Sequence, residues 1–199
     1  MNQEWSAAEI EGLAKAADVF LLLGDIETAI GLSDVANHLQ EKYVNEQIRR
    51  AGMTDKIGNR FTELRESGWM LYYFGTHDDV AGLGAARLWP KHQYGEVVIV
   101  HNVNYAVAYR TVLTPTLKIF TPDMVFWTTV GSAAKVLNQA VRLREPKGPH
   151  YKQELNYQYE APPYCAVPSE WPEPVELPPR LTPPAPPAAP ESSANNESA

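Results

Sequence analysis

The chain has 199 residues, of which 44% are hydrophobic and 21% are charged, and its formal net charge is −7. This composition predicts a conventional globular protein with one or two small domains. No run approaches the roughly 20 apolar residues that span a bilayer, and the apolar run at 19–23 is too short for a signal core. The single cysteine, Cys165, excludes an internal disulfide. We therefore expect no membrane contact and a cytoplasmic location.

Two helices are predicted before residue 40. Ser6 and Glu9 have the spacing of a capping box, which opens a helix that ends near Gly24. The buried side of this helix is predicted to carry Ile10, Leu13, Ala17, Phe20 and Leu21. Residues 32–39 predict a second helix, capped at Ser33. Its predicted buried residues are Val35, Ala36 and Leu39.

Residues 54–68 predict a third, short helix. Thr54 can cap its start, and Gly68 supplies the left-handed residue that ends many helices. The apolar stripe at helical spacing consists of Ile57, Phe61 and Leu64. The opposite, polar side consists of Lys56, Asn59, Arg60 and Glu63. The pattern also fits an ordinary amphipathic surface helix, and that alternative stays open.

The aromatic and apolar residues 69–74 predict a strand directly after the third helix. Residues 75–84 are polar and rich in glycine, which predicts a loop. Residues 85–89 then predict a returning strand. The predicted order is therefore three helices, a strand, a loop and a second strand.

Residues 32–39, 60–68 and 82–89 resemble the second helix, the recognition helix and the wing of winged helix-turn-helix DNA-binding domains. The resemblance covers residues 6–90 and implies that the third helix enters the major groove of double-stranded DNA. Residues 41–53 depart from the family, because they are longer than the usual turn between its helices.

This resemblance implies a set of nucleic-acid-binding residues. Side chains of the third helix would read base edges, namely Lys56, Asn59 and Arg60. Arginines would contact phosphates, namely Arg49, Arg50, Arg65 and Arg87. The charge of this part of the chain argues against DNA binding. Residues 1–92 carry 9 basic and 14 acidic side chains, whereas DNA binders usually present a basic surface. A winged helix that binds protein instead of DNA remains an alternative.

The middle of the chain, residues 93–150, predicts a small unit of strands and one helix. Strands are predicted at 96–101 and 104–113, with a short third at 116–120. A helix is predicted to begin at Pro122, because proline is well tolerated in a first helical turn. Its apolar side would carry Val125, Thr129, Val130, Ala133, Ala134, Leu137 and Val141, and Pro146 and Pro149 would terminate it.

This part of the chain is also similar to the neck or tail-completion proteins of long-tailed bacteriophages. The similarity spans residues 54–143 and rests on residues 97–106, on residues 109–111, and on Pro122 followed by a closing helix. It implies a head–tail connector role as a homo-oligomeric structural ring subunit, located in the virion or the host cytoplasm, with no catalytic residues. Residues 54–58 depart from the Asp-Thr-Gly turn of that family.

The C-terminal region, residues 151–199, holds 12 of the 17 prolines. Such a segment is predicted to be disordered or polyproline-like, because it cannot bury enough apolar surface. Residues 177–187 could dock into an aromatic groove of a protein partner, or serve as a solvated spacer. The stretch before Pro172 can instead lie across the folded body, as its aromatic residues indicate: Tyr157, Tyr159, Tyr164 and Trp171.

Catalytic patterns are missing from the sequence. The five histidines show no metal-site spacing, and His77 is best explained as part of a solvated loop. We expect no enzyme activity, no metal and no cofactor. The predicted fold is α+β, with a winged helix-turn-helix at 1–92, a β–α unit at 93–150 and a Pro-rich disordered tail at 151–199. The predicted function is that of a DNA-binding transcription regulator or phage accessory protein, with the phage connector subunit and a protein-binding adaptor as alternatives.

Overall fold

The computed structural model describes residues 6–76, 79–113, 118–143 and 157–177. These residues contain four α-helices: α1 (Ala7–Leu22), α2 (Ile26–Arg50), α3 (Asp55–Glu66) and α4 (Ala133–Val141). They also contain seven strands: β1 (Met70–Gly75), β2 (Val80–Trp89), β3 (Tyr94–Asn102), β4 (Tyr105–Val112), β5 (Met124–Gly131), β6 (Tyr159–Glu160) and β7 (Pro174–Glu176). The predicted α+β class is confirmed.

All seven strands belong to one antiparallel sheet, in the order β6-β5-β4-β3-β2-β1-β7. Strands β1 to β5 form a meander, in which each strand pairs with its neighbour in the chain. The C-terminal strands β6 and β7 close opposite edges. The predicted domain boundary between residues 92 and 93 falls in the turn between the paired strands β2 and β3.

The sheet separates two apolar layers. On one face α3 and α4 pack together over the central strands, and the predicted stripe of Ile57, Phe61 and Leu64 is buried there. On the other face a second cluster includes Phe74, Tyr109 and residues of the C-terminal segment. Both faces of the sheet are thus covered within the described residues.

Helix α3 ends as its sequence predicts. Gly68 has a φ of +82°, and the amide of Trp69 donates to the carbonyl of Leu64 at 3.1 Å. These are the marks of a Schellman termination, which directs the chain out of the helix and into a strand. The predicted pairing of the two following strands is confirmed by the register, with Met70 opposite Ala86.

Helix α2 differs from its prediction. It is a single helix of 25 residues, so a short helix at 32–39 and a turn at 41–53 are wrong. Its cap is Asp25, whose carboxylate accepts from the amide of Thr28 at 3.1 Å, while Ser33 is buried inside the helix. The helix continues because residues beyond 40 keep an apolar spacing that buries Tyr43, Val44 and Ile48.

The helix predicted to begin at Pro122 is also wrong in its first half. Residues 124–131 form β5, which pairs with β4, and the helix begins only at Ala133. The β-branched and aromatic residues of 125–130 favour a strand, and this preference exceeds the helix-starting tendency of proline. Of the short strand predicted at 116–120, residues 118–120 form a turn, and the remainder lies outside the described residues.

Strand β2 begins at Val80, so much of the loop predicted at 75–84 is strand; His77 lies outside the described residues.

Residues 157–177 are not a free tail. We call this segment the strap, because it runs from β6 at one edge of the sheet to β7 at the other. The alternative that this stretch lies across the folded body is confirmed, since Cys165 belongs to the second apolar cluster and Trp171 packs against it. Residues 144–156 and 178–199, including Pro146, Pro149 and most of the predicted docking motif, lie outside the described residues.

Candidate interaction surfaces

The exposed face of α3 carries mixed charge. Lys56 and Asn59 are exposed one turn apart, whereas the guanidinium of Arg60 donates to the carboxylate of Glu63. The charged side chains of the helix cancel, since three are acidic and three are basic: Asp55, Glu63, Glu66, Lys56, Arg60 and Arg65. This face is therefore neutral where a DNA-reading helix would be basic.

Three of the arginines predicted to touch phosphate have partners on α2. Arg49 donates to both oxygens of Glu46, at 2.6 and 2.9 Å, and Arg50 donates to the same carboxylate at 2.9 Å. Hydrogen bonds from Arg49 and then Arg50 lower the pKa of Glu46 to about 2. Arg65 donates to the side-chain oxygen of Gln40 at 2.7 Å.

Arg87 belongs to a charge cluster within the sheet. The register places it directly opposite Glu96, which in turn lies opposite Arg110. Glu96 is fully buried and accepts from Arg87 at 2.6 and 2.8 Å and from Arg110 at 2.8 and 3.0 Å. The indole of Trp89 donates a further bond to Glu96 at 3.2 Å. Arg87 is thus committed to the core, and the strand that would form a wing is paired on both sides.

Aromatic rings surround this cluster. The guanidinium carbon of Arg87 lies 4.9 Å from the ring centre of Trp69 and 5.0 Å from that of Trp89, and that of Arg110 lies 5.7 Å from Tyr94. Arg87 also donates to the backbone carbonyl of Leu143, which follows α4. The cluster joins three strands and the end of a helix, so its role is structural.

The most exposed apolar surface lies at the turn between α1 and α2. Helices α1 and α2 form an antiparallel hairpin, and α1 packs chiefly on α2. Its turn carries Leu22, which is 87% exposed, and Leu23, which is 75% exposed. We call this surface the apolar tip; its members are Val19, Leu21, Leu22, Leu23, Ile26 and Ile30, all of them exposed. The prediction that Leu21 is buried is wrong. The same prediction is wrong for Val35 of α2, which is 51% exposed.

The run of five apolar residues at 19–23 carried the signal for this surface. Successive residues of a helix are spread around its axis, so five in a row cannot all face one core. Periodicity alone assigned Leu21 to the buried side and left Leu22 and Leu23 unexplained.

The strap is anchored by Trp171. Its indole lies 5.1 Å from the ring of Phe74 and 4.8 Å from that of His101. It occupies the space above Gly82, where a Cβ atom would come within 2.1 Å of the indole. Glycine at this position of β2 is therefore required by the side chain that covers it, which explains a glycine inside a strand.

His101 gives the strap contact a pH dependence. Its ring centre lies 4.7 Å from that of Tyr105 and 4.8 Å from that of Trp171. Its Nε2 atom has no hydrogen-bond partner within the described residues, and burial lowers its pKa from 6.5. As the pH falls below 6.5, His101 is protonated in the unfolded chain before it is protonated in the folded chain. The free energy of unfolding therefore decreases as the pH falls. We expect the urea midpoint to fall more in the wild type than in His101→Gln between about pH 7.5 and pH 5.5.

His38, which is exposed, supplies the control for this experiment. A His38→Gln variant should keep the pH dependence of the wild type. Equal pH dependence in His101→Gln and the wild type would contradict the argument.

Two observations concern metal and thiol chemistry in the described residues. No group of three His, Cys, Asp or Glu side chains among them could hold a metal ion. Cys165 is buried, and this burial raises the pKa of its thiol to about 11, which suppresses the reactive thiolate. Among the described helices none combines the length and apolar character that crossing a bilayer requires.

Searches for related proteins give no match to a family model, to a curated protein or to a solved structure.

Proposed function

We propose that this chain is a non-catalytic structural subunit that assembles with copies of itself, as its resemblance to bacteriophage neck and tail-completion proteins implies. The observation that carries the proposal is the apolar tip. Its two leucines at the hairpin turn are more exposed than not, and they are flanked by further exposed aliphatic residues. Exposed apolar side chains concentrated at one turn in this way favour a protein–protein contact.

The charge around the tip favours a protein partner over nucleic acid or an anionic membrane. Residues 6–35 carry six acidic side chains against the single basic Lys15, which pairs with Glu11 at 2.7 Å. Phosphate backbones and anionic lipids would repel such a surface. The absence of a basic surface on α3, and the intrachain partners of the arginines, support the same choice.

Mutation of the tip tests this proposal. We expect the full-length wild type to form a defined oligomer, and Leu22→Glu with Leu23→Glu to shift it to monomers, because charge placed at the contact must be desolvated. Mass photometry gives the particle mass over a range of concentrations. At concentrations low enough for the wild type to be monomeric, the thermal midpoint should change little, since both side chains of the single chain lie in solvent.

A matched variant controls for the added charge. His38→Glu with Asn45→Glu places two carboxylates at exposed polar positions of α2 outside the apolar tip and should leave the oligomer intact. A wild type that stays monomeric at high micromolar concentration would refute the proposal. So would an oligomer that survives both leucine substitutions.

DNA binding is the second candidate. It is favoured by Lys56 and Asn59, which lie one turn apart on the exposed face of α3 and have no hydrogen bond or ion pair within the described residues. A gel shift at low salt decides between the two. DNA binding predicts affinity that falls steeply with salt and specificity that Asn59→Ala relaxes. An assembly that ignores duplex sequence argues for the structural role.

A further inference from the structure

We infer that the apolar tip of one copy binds the β5–β6 edge of the next copy, in a head-to-tail contact. The inference rests on the proposed self-assembly and names the surface that receives the tip. We call that surface the receiving edge; it is defined by the exposed side chains of Met124, Val130, Tyr157, Tyr159 and Tyr164.

The exposed large apolar side chains of the described residues fall into these two groups. Beyond them only Val35, on the same hairpin as the tip, and Val175, at the opposite sheet edge, are exposed to a comparable degree. The two groups differ in chemistry, since the tip is aliphatic and helical while the receiving edge is aromatic and extended. A contact between two unlike patches repeats from copy to copy and generates a ring or a filament.

The backbone of β5 gives a second reason. Strand β6 pairs only with Met124 and Val125, so residues 126–131 have no strand on their outer side within the described residues. Proteins commonly protect such an edge by covering it with a helix or a loop. The hairpin of α1 and α2 is a helical element with an exposed apolar surface, as that role requires.

The charges of the two surfaces are complementary. The tip lies between acidic side chains, with Asp18 before it and Asp25 and Glu27 within its turn and first helical residues. The receiving edge has a lysine near each end of β5. Lys118 and Asp123 line the same cleft as Met124, and the side chain of Lys135 lies over Gly131.

The net charges of the segments that carry the two surfaces agree with this placement. Residues 118–143 and 157–164 carry three basic and two acidic side chains, namely Lys118, Lys135, Arg142, Asp123 and Glu160. Their sum is +1, against −5 for residues 6–35. Opposite charges at the rim steer association and fix the register of a contact. Two tips facing each other would instead bring like charges together.

The cleft beside Met124 can accept a side chain from the tip. It has a volume of about 200 Å³, and a cavity of roughly 150 Å³ admits a group the size of benzene. Its described lining combines apolar and polar groups from Thr111, Ile119, Pro122 and Gln158. A leucine from the neighbouring hairpin would find both space and apolar contact there.

Cysteine pairing between two full-length variants tests the inference. Leu22→Cys and Tyr159→Cys place exposed thiols on the tip and on the receiving edge, while the native Cys165 is buried and stays unreactive. After mild oxidation, we expect a mixture of the two variants to form at least about tenfold more covalent dimer than either variant alone. Leu22→Cys mixed with Val175→Cys, at the opposite sheet edge, is the matched control and should not cross-link.

The outcomes separate this inference from the proposed function. Cross-linking of Leu22→Cys with itself would show a tip-to-tip contact and overturn the inference, although self-assembly would stand. The inference would also be overturned, and self-assembly would stand, if mass photometry showed an assembly but the mixed variants failed to cross-link. A monomeric chain with no cross-link would overturn both.

Discussion

Replacing Glu96 by Gln should lower the free energy of unfolding by about 3 kcal/mol, the lower end of the range for breaking a buried ion pair. Glu96 is fully buried and is the shared acceptor of Arg87 and Arg110. The amide keeps the size of the side chain but removes its charge, which leaves two guanidinium groups close together with side chains only 13% and 14% exposed. Chemical denaturation at neutral pH measures the change.

Glu46 provides a matched control for this prediction. It also accepts from two arginines, Arg49 and Arg50, but on the surface of α2, where its side chain is 30% exposed. Water screens these pairs, so Glu46→Gln should cost no more than about 1 kcal/mol. Similar losses in the two variants would show that burial is not what makes the Glu96 cluster important.

Replacing Gly82 by Ala should release the strap from the sheet. The added methyl group would overlap the indole of Trp171, which has to leave its site above β2. We expect a loss of roughly 2 kcal/mol in unfolding free energy, below the range for deleting a fully buried tryptophan because Trp171 is partly exposed. Cleavage by a Glu-specific protease after Glu170 should accelerate, since this residue then lies in a released segment.

A double-mutant cycle isolates the cause. In a Trp171→Ala background the methyl group meets no indole, so Gly82→Ala should cost little there. Gly31→Ala is the control for a glycine in open space, and since Gly31 lies inside α2 the substitution should stabilise the chain by up to about 1 kcal/mol. Equal costs for Gly82→Ala with and without Trp171 would contradict the assigned role of the glycine.

The sequence predicts best where local chemistry decides the structure. The capping box of Ser6 and Glu9 forms as its spacing indicates, with the amide of Ser6 donating to Glu9 at 2.8 Å. Gly68 ends α3, and the strand that follows it is indicated by the run of aromatic and apolar residues at 69–74. Each of these features depends on residues close together in the chain.

The errors arise where distant contacts decide. Pro122 is a suitable start for a helix, yet residues 124–131 form a strand because β4 offers a paired edge beside them. Gly82 resembled a loop residue because nothing nearby in the sequence reveals that Trp171 will cover it. The strap was detectable only through its aromatic residues, against a composition that otherwise predicts disorder.

The candidate surfaces show the same division. Lys56 and Asn59 are exposed as the helical pattern of α3 predicts. Arg87 could not be assigned from the sequence, since its partner Glu96 lies on another strand and the register decides whether they meet. Leu22 and Leu23 were visible as an apolar run, but only the hairpin of α1 and α2 shows that the fold leaves them uncovered.

The strap follows the meander in the chain, and this order has a consequence for synthesis. Phe74, Tyr109 and Phe120 leave the ribosome before Trp171 and Cys165, which lie on the same face of the sheet. A nascent chain therefore holds a formed or forming meander whose aromatic side is bare until the last of these residues emerges. We therefore expect the nascent chain to aggregate more readily before the strap has docked than afterwards.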